Sequence, residues 1–349
     1  MNQLDILLPF AIPPAEISAD LLRELKTPAL ARLLSRSKSS RHGALRETFE
    51  GFHRALPHEI WLARTFGVGG ESSPRIAHAL MQSFGLQADE GTWFALQPVH
   101  IHVARDHLVL TDPQQLSISE NEAQALYAVA HDLFGETGKP LLYGNTNIWF
   151  VRADEWSQLQ TSTPDAAGGR NIDIWMPAGP GERNWRKIQN EVQMHWFSHT
   201  VNAEREARGA KPINSIWLWG GSDIAELPRA PYTNAFNFDG WTKAFATRIG
   251  RHSHADSAAT ALAETPQHGL VYLDTLLEPA LSNDWARWLS AMQALEANWF
   301  APLLDAFKTG RLSGLTLIAS DDAHLRQFAV NRSSLRKFWI TPSLAPLAS

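Results

Sequence analysis

Asn202 and Arg205 stand three residues apart, a spacing that puts both on one face of a helix. An amide beside a guanidinium suits a carboxylate or a phosphate. Gly209 then ends the helix, and the chain passes Asn214 inside an apolar run over 213–219 closed by Gly220-Gly221. Ligands of open α/β sheets sit at the carboxyl ends of strands. Trp217, Trp219 and a Gly-Gly backbone that lets N–H groups approach an anion would stand there. The same residues also make a capped helix and a tryptophan-rich core strand, and that architectural reading stays open.

A second group follows the apolar run 315–319. Asp321, Asp322 and His324 offer two carboxylates and an imidazole to a metal ion such as Mn or Zn. The plain alternative is a helix cap with acid in its first turn. Ser72 and Ser73 precede Pro74, where a hydroxyl nucleophile would gain from a helix N-terminus, although an ordinary cap explains them too. His100 and His102 share a strand face with His107 across a turn, a pattern three imidazoles can use to hold Zn. His195 and His199 are four apart but lack the Glu of a zincin. The chain has no P-loop, no G-x-G-x-x-G and no G-x-S-x-G.

The elements that would position these groups follow from hydrophobic period. A buried strand is predicted over 4–12, then a helix over 18–35 that Pro28 interrupts. Short helices over 57–66 and 73–84 flank a Gly-rich turn. Residues 93–111 predict a β-hairpin, and Ser119 with Glu122 opens a helix through a capping box, its stripe being Ala123, Leu126, Ala130 and Phe134. Strands over 140–143, 147–152 and 171–176 complete a small α+β unit. From about 184 the pattern alternates. Helices fall over 184–197, 201–208, 239–249 and 284–308, with strands over 213–219, 269–273 and 315–319 and a last one over 335–340. That alternation predicts a mostly parallel α/β sheet flanked by helices. The polar segment 250–267, with His252, His254 and Asp256, reads as a surface loop.

Composition narrows the function classes. The chain has 349 residues, 44% apolar and 19% charged, which is globular and excludes a largely disordered protein. It has no Cys, so disulfides, thiolate metal sites and Cys nucleophiles are out. A net charge of −5, from 31 basic and 36 acidic residues, gives no field for nucleic acid. The basic run from Arg32 to Arg46 is Ser-rich and reads as a solvated helix end. No window approaches a membrane span, and the first twelve residues lack the basic start of a signal peptide, so a cytoplasmic protein with no membrane partner is expected. Of fourteen Trp, seven (149, 156, 175, 185, 196, 217, 219) lie in 149–219.

The block from Asn202 to Gly221 resembles the archaeal-type, cofactor-independent phosphoglycerate mutases of the alkaline phosphatase superfamily. Asn202, Arg205, Gly209 and Asn214 match their Asn-x-x-Arg-x-x-x-Gly pattern and the Asn that follows it. It is closer to a bacterial family of RpfE-type regulatory proteins, whose hallmarks resemble 190–194, 202–209 and 214–221. Thr27-Pro28-Ala29-Leu30 and Gln97-Pro98-Val99-His100 agree with the superfamily more weakly. The second of these resembles the opening of the mutases' inserted domain, with His100 at the polar position of an Arg-Cys-Asn motif that is otherwise missing. The resemblance implies an alkaline-phosphatase-like core over 1–92 and 166–349 with an inserted α+β domain over 93–165. It also implies a ligand-facing set of His100, Asn202, Arg205, Asn214, Trp217, Trp219, Gly220 and Gly221.

The departures from the family bear on mechanism. An Asp-Gly is expected after the first strand, and this chain has Leu8-Pro9-Phe10-Ala11, with Asp5 at the strand's other end. An Asp-x-x-x-His is expected later, and Asp274 has no His after it. Three readings follow. The first is a mutase-like protein that has lost its two-metal site, needs no cofactor, and acts as a regulatory protein or binds a small phosphorylated or carboxylic acid. The second is an active enzyme, a mutase or phosphohydrolase, using Mn or Zn at Asp321, Asp322 and His324 with Ser72 or Ser73. The third is a non-catalytic module that binds a protein partner through a Trp-rich face.

Overall fold

The computed structural model describes residues 2–37, 45–48, 52–69, 73–104, 107–111, 113–224 and 227–348, with 45–48 described by backbone alone. Its contacts group the chain into two units, Met1–Gly51 with Ala230–Ser349, and Phe52–Arg229. The second unit is wider than the 93–165 insertion expected from the hairpin–helix pattern. In chain order the first unit contributes β1 (Gln3–Leu8), α1 (Ala15–Glu24), α2 (Pro28–Ser35) and β2 (Leu45–Thr48). The second unit holds α3 (Pro57–Phe66), α4 (Ala77–Ser83), β3 (Trp93–Val99), β4 (Ile101–Ala104), β5 (His107–Leu110) and α5 (Glu120–Glu136). It continues with β6 (Leu141–Tyr143), β7 (Trp149–Arg152), α6 (Pro164–Ala167), α7 (Glu182–Phe197), α8 (Thr200–Ala207) and β8 (Ser215–Ser222). The chain then returns to the first unit for β9 (Asn234–Phe236), α9 (Lys243–Ala246), β10 (Arg251–Ser253), α10 (Ala258–Ala263) and β11 (His268–Tyr272). It ends with α11 (Leu277–Leu281), α12 (Trp285–Leu295), α13 (Ala301–Thr309), β12 (Gly314–Ser320), β13 (His324–Asn331) and α14 (Arg332–Leu335).

The first unit is built on a seven-stranded sheet in the order β10-β9-β11-β1-β12-β13-β2. The five strands from β10 to β12 in this order run parallel; β13 pairs antiparallel with β12, and β2 pairs antiparallel with β13. This is the mixed α/β class with a largely parallel sheet that the helix–strand alternation predicts. β1 sits between β11 and β12, and Leu4, Ile6 and Leu7 are fully buried, as a central parallel strand requires. Asp5 interrupts that run. Its carboxylate hydrogen-bonds the Tyr232 hydroxyl and the His268 imidazole, both at 3.0 Å, toward the strand's amino end.

Local chemistry explains the helix breaks. Pro28 has no N–H and opens α2, and the next two amides, Ala29 and Leu30, donate to the Glu296 carboxylate at 2.6 and 3.1 Å. Glu296 begins a π-helical turn, Glu296–Phe300, that joins α12 to α13. Pro302 follows one residue beyond it. It cannot donate to a carbonyl one turn back, and the helix widens just ahead of it. The helix expected over 284–308 is therefore continuous in path but not in hydrogen bonding. The expected strand over 335–340 is instead α14 and a turn, while β13 carries the antiparallel pairing. The polar segment 250–267 holds β10 and α10.

The second unit is antiparallel. Its four-stranded sheet runs β6-β7-β3-β8, with β4 and β5 as a separate hairpin. β8 was expected among parallel strands, but it pairs antiparallel with β3. The expected strand over 171–176 is a single 3₁₀ turn, Ile172–Ile174. α5 opens with the expected capping box, Glu122 Oε2 accepting from the Ser119 amide and hydroxyl, each at 2.8 Å. Its stripe of Ala123, Leu126, Ala130 and Phe134 is fully buried, the last three in a core with Trp149, Trp156, Trp185 and Trp196. Trp149 meets Trp196 and Trp156 meets Trp185 edge-on, at ring separations of 6.0 and 5.7 Å. All seven Trp of 149–219 are buried, so they form core and no Trp-rich interface. Among the described residues no helix is long and apolar enough to cross a membrane.

Gly220 and Gly221 do not close β8; they form a bulge within it. Trp93 faces Ser222 and Ala95 faces Trp219, so two glycines stand opposite Phe94 alone. Gly220 takes φ +69°, and a Cβ on Gly221 would lie 2.3 Å from Phe94 Cε1. Gly221→Ala is therefore expected to cost about 1–3 kcal/mol through overpacking. Gly135→Ala on α5, which meets nothing within 4 Å, is expected to cost nothing. Urea midpoints of the two variants check the contrast.

Candidate functional site

The residues that look most like an anion site hold helices and strands together. Asn202 donates through Nδ2 to the carbonyls of Trp196 and Ile213 and accepts the Ile213 amide through Oδ1, at 2.7–2.8 Å. This ties the end of α7 to the chain entering β8. Asn214 uses both ends of its amide on the backbone of Ile101, at 2.7 and 2.8 Å. Arg205 is 1% exposed. Its Nε donates to Lys211 O at 2.7 Å, Nη1 to Glu122 Oε1 at 3.0 Å and Nη2 to Leu116 O at 2.5 Å. Arg208 reaches the same Glu122 oxygen. Trp217 is buried and donates its indole N–H to Ser162 O at 2.8 Å, and Trp219 is fully buried. The ligand-facing role expected of Asn202, Arg205, Asn214, Trp217 and Trp219 is thus replaced by architecture, because their polar atoms are satisfied inside the unit or their rings are sealed in its core.

The histidines divide in the same way. His100 lies half-buried between β3 and β4, donates Nδ1–H to Pro212 O at 2.8 Å and stacks on His102 at 5.7 Å. Burial is the largest cause holding its pKa below the usual value. His107 faces Ala104 across the β4–β5 pair. His195 and His199 do not share a helix, since His199 is the N-cap of α8 and accepts the Val201 amide at 3.2 Å. Ser72 lies outside the described residues. Ser73 is described but caps no helix, because α4 begins at Ala77 with Ile76 before it. Among the described residues no three His, Asp or Glu side chains are grouped so that they could hold a metal ion.

In the first unit the strand ends give a different picture. β12 turns into β13 through Asp321, Asp322 and Ala323. Asp321 Oδ1 accepts the amides of Ala323 and His324 at 2.7 and 2.5 Å, and Oδ2 meets His324 Nδ1 at 2.9 Å. Asp321 is buried and Asp322 points outward. The structure therefore brings Asp321 and His324 together as a tight-turn clasp, not as a helix cap. β1 ends in Pro9-Phe10. Phe10 has φ +55°, is buried, and accepts the Trp288 indole N–H at 2.8 Å.

The ends of β9, β10 and β11 open into a cavity of about 360 Å³, lined by Asp239, His254, Asp256, Asp274, Tyr272 and Trp299 among others. Asn237, at φ +63°, brackets Ala255 with two hydrogen bonds of 2.8 and 2.9 Å and sets the shape of this rim. Asp274 opens to solvent along one side, and crowding of the rest pushes its carboxyl up, with the charge of Asp239 adding to it. Hydroxyls of Thr260 and Ser257 hold Asp256 below the usual carboxylate range. Three carboxylates over an apolar floor suit proton exchange, and they repel phosphate. The sequence reading missed this rim because β9 and β10 have three residues each, too few to show a period. The one signal was the polar run with His254 and Asp256.

No family model matches the chain. Over 75 residues it is 28% identical to the 2,3-bisphosphoglycerate-independent phosphoglycerate mutase 2 of Methanothermobacter thermautotrophicus. That stretch is 21% of this chain and 19% of the relative, so the match spans about a fifth of either. Among solved structures, the cofactor-independent phosphoglycerate mutase from Thermoplasma acidophilum aligns over 100% of this chain and 94% of its own, at 13% identity and a TM-score of 0.43. The PH0037 protein from Pyrococcus horikoshii aligns over 95% and 87%, at 11% identity and a TM-score of 0.48. The matched sequence stretch indicates a phosphoglycerate-mutase-like relationship.

Two buried carboxyls of the second unit give opposite pH dependence. Burial alone would push Glu122 up, but hydrogen bonds from Ser119, Arg208 and Arg205 outweigh it and hold the carboxyl at about 2. Its stabilising effect is present above the ordinary value near 4.5 and is lost as pH falls toward about 2. Glu59 is buried, accepts from the Leu56 amide and the Thr163 hydroxyl at 2.6 and 2.7 Å, and is pushed up to about 8 by burial and then by Asp165. Its folded form holds the proton more tightly, so its effect is present below about 4.5 and is lost as pH rises toward about 8. Glu122→Gln is expected to flatten the acid limb of a stability–pH curve, and Glu59→Gln the limb from about 4.5 to about 8. Urea unfolding at a series of pH values reads both, and unchanged limbs would refute the assignment.

Proposed function

We propose that this chain is a phosphoglycerate-mutase-related protein that does not carry out two-metal phosphoryl transfer. It acts in the cytoplasm as a regulatory protein of the RpfE type that binds a small phosphorylated or carboxylic acid. The observation that carries this reading is the end of β1. Two-metal transfer needs hard oxygen and imidazole ligands converging on both the attacking and the leaving oxygen. Where the resemblance calls for Asp-Gly, the chain has Pro9-Phe10, and Phe10 occupies the left-handed backbone region that suits glycine. The phenyl ring is buried there, and the backbone carbonyl is occupied by Trp288.

The neighbouring strand end supports the same reading. Asp321 has both oxygens engaged, by two amides and by His324. Placing a cation there would break a turn that joins β12 to β13. Asp274, the remaining acid of the pattern, has no His four residues on, and Glu278 stands in that place. On this reading the residues present do not fit a two-metal centre. The acid-binding role follows from the relationship to the mutases, and the regulatory role from the motifs over 190–194 and 202–221.

Purified protein incubated with Mn²⁺ or Zn²⁺ and desalted is expected to retain well under one equivalent of metal by elemental analysis. It is also expected not to interconvert 2- and 3-phosphoglycerate. One or two retained equivalents, with turnover abolished by Asp321→Ala, would establish the metal-dependent enzyme instead.

A further inference from the structure

A cavity of about 430 Å³ lies in the second unit, between the β8 bulge and the loop 157–161. Ser73, Arg75, Gln158, Gln160 and Thr161 line it, with Phe94, Leu159 and Gly221 as the less polar wall. Among the described residues that line it, Arg75 alone is charged and no carboxylate is present. Arg75 is held in place rather than loose, since Nε donates to Gly221 O at 3.2 Å. Its ion pair with Asp223, at 3.6 Å, is partly exposed and therefore weak.

One hydroxyl open to this cavity has no partner among the described residues. Thr161 is 5% exposed, and its hydroxyl makes no hydrogen bond among the described residues, so the surface it keeps faces the cavity it lines. Ser73 Oγ, also without a partner among the described residues, is fully occluded and does not open onto the cavity. A ligand in the cavity can accept from the Thr161 hydroxyl. The loop that carries Thr161 is rigid on its other side. The Gln160 and Ala178 backbones exchange two hydrogen bonds of 2.9 and 3.0 Å. Ser162 is fixed by Arg54 at its hydroxyl and by Trp217 at its carbonyl. A hydroxyl on a fixed loop and a guanidinium fixed by a carbonyl form a preorganised pair of donors.

We propose that this cavity is the anion site of the second unit. It would take a small hydroxylated acid whose carboxylate or phosphate accepts from Arg75 and Thr161, while Gln158 and Gln160 bond its hydroxyls. Gln amides both donate and accept, which suits hydroxyls better than a second anion. The inference rests on the acid-binding part of the proposed function and is independent of whether metal chemistry survives.

The test is calorimetric titration of the full chain with 3-phosphoglycerate, glycerate and inorganic phosphate. Wild type is expected to bind 3-phosphoglycerate at one site per chain. Arg75→Ala is expected to weaken it by roughly 10–100-fold and the isosteric Thr161→Val by roughly 3–10-fold, in line with charged and neutral hydrogen bonds. The urea midpoint of Thr161→Val should not fall. Glycerate and phosphate separate the carboxylate from the phosphate as the group that Arg75 holds. If wild type binds and neither substitution weakens it, the site is overturned. If wild type binds none of the three, the site falls together with the acid-binding reading. If Arg75→Ala does not fold, Arg75→Lys and Thr161→Val decide, and full binding by both would overturn the site. Turnover with metal alongside binding lost in these variants would keep the site and remove the non-catalytic reading.

Discussion

Glu122 is the residue on which the second unit most depends. One carboxylate accepts from Ser119 twice, from Arg205 and from Arg208. In this way it caps α5 and holds α8 against it. Arg205 carries the tie onward to the carbonyls of Leu116 and Lys211. A buried, fully hydrogen-bonded ion pair contributes little when compared with an apolar substitute, but losing one partner leaves a stranded charge. Everything downstream inherits that constraint. The α7–α8 corner, pinned by Asn202, delivers the chain into β8. The pairing of β8 with β3 then seats Trp217 and Trp219 in the core and creates the Gly220-Gly221 bulge that walls one side of the Arg75 cavity.

Much of this was legible in the sequence where the signal is local. The Ser119–Glu122 capping box, the break at Pro28 and the buried stripe of α5 lie within a few residues of their causes. The parallel sheet of the first unit was legible because β1, β11 and β12 are continuous apolar runs. What failed was non-local. β8 has an apolar run of the same kind, but its partner is β3, more than a hundred residues earlier, and nothing in the run itself says antiparallel. β9 and β10 escape because they have three residues each, and β13 because its apolar and polar positions are mixed.

The site was misjudged for a related reason. Arg and Asn serve equally well to hold a ligand anion or a buried carboxylate, and the partner that decides for Arg205 is 83 residues away. Arg75 went unnoticed because one Arg after a Gly-rich turn carries no pattern, and only folding brings it beside Thr161. Relationship and activity also separate here. The motifs that suggest kinship to the mutases are those that stabilise the second unit. The positions that would supply chemistry, at the ends of β1 and β12, hold a phenylalanine and an aspartate already bound to histidine.

The central claim is that the Asn202–Arg205 block is a structural clasp. A double-mutant cycle of Glu122→Gln and Arg205→Met, followed by urea unfolding at pH 7, measures it most directly. Each single substitution is expected to cost about 3–5 kcal/mol, and the double no more than either, because it strands no charge. Single losses below about 0.5 kcal/mol, or losses that simply add in the double variant, would contradict it.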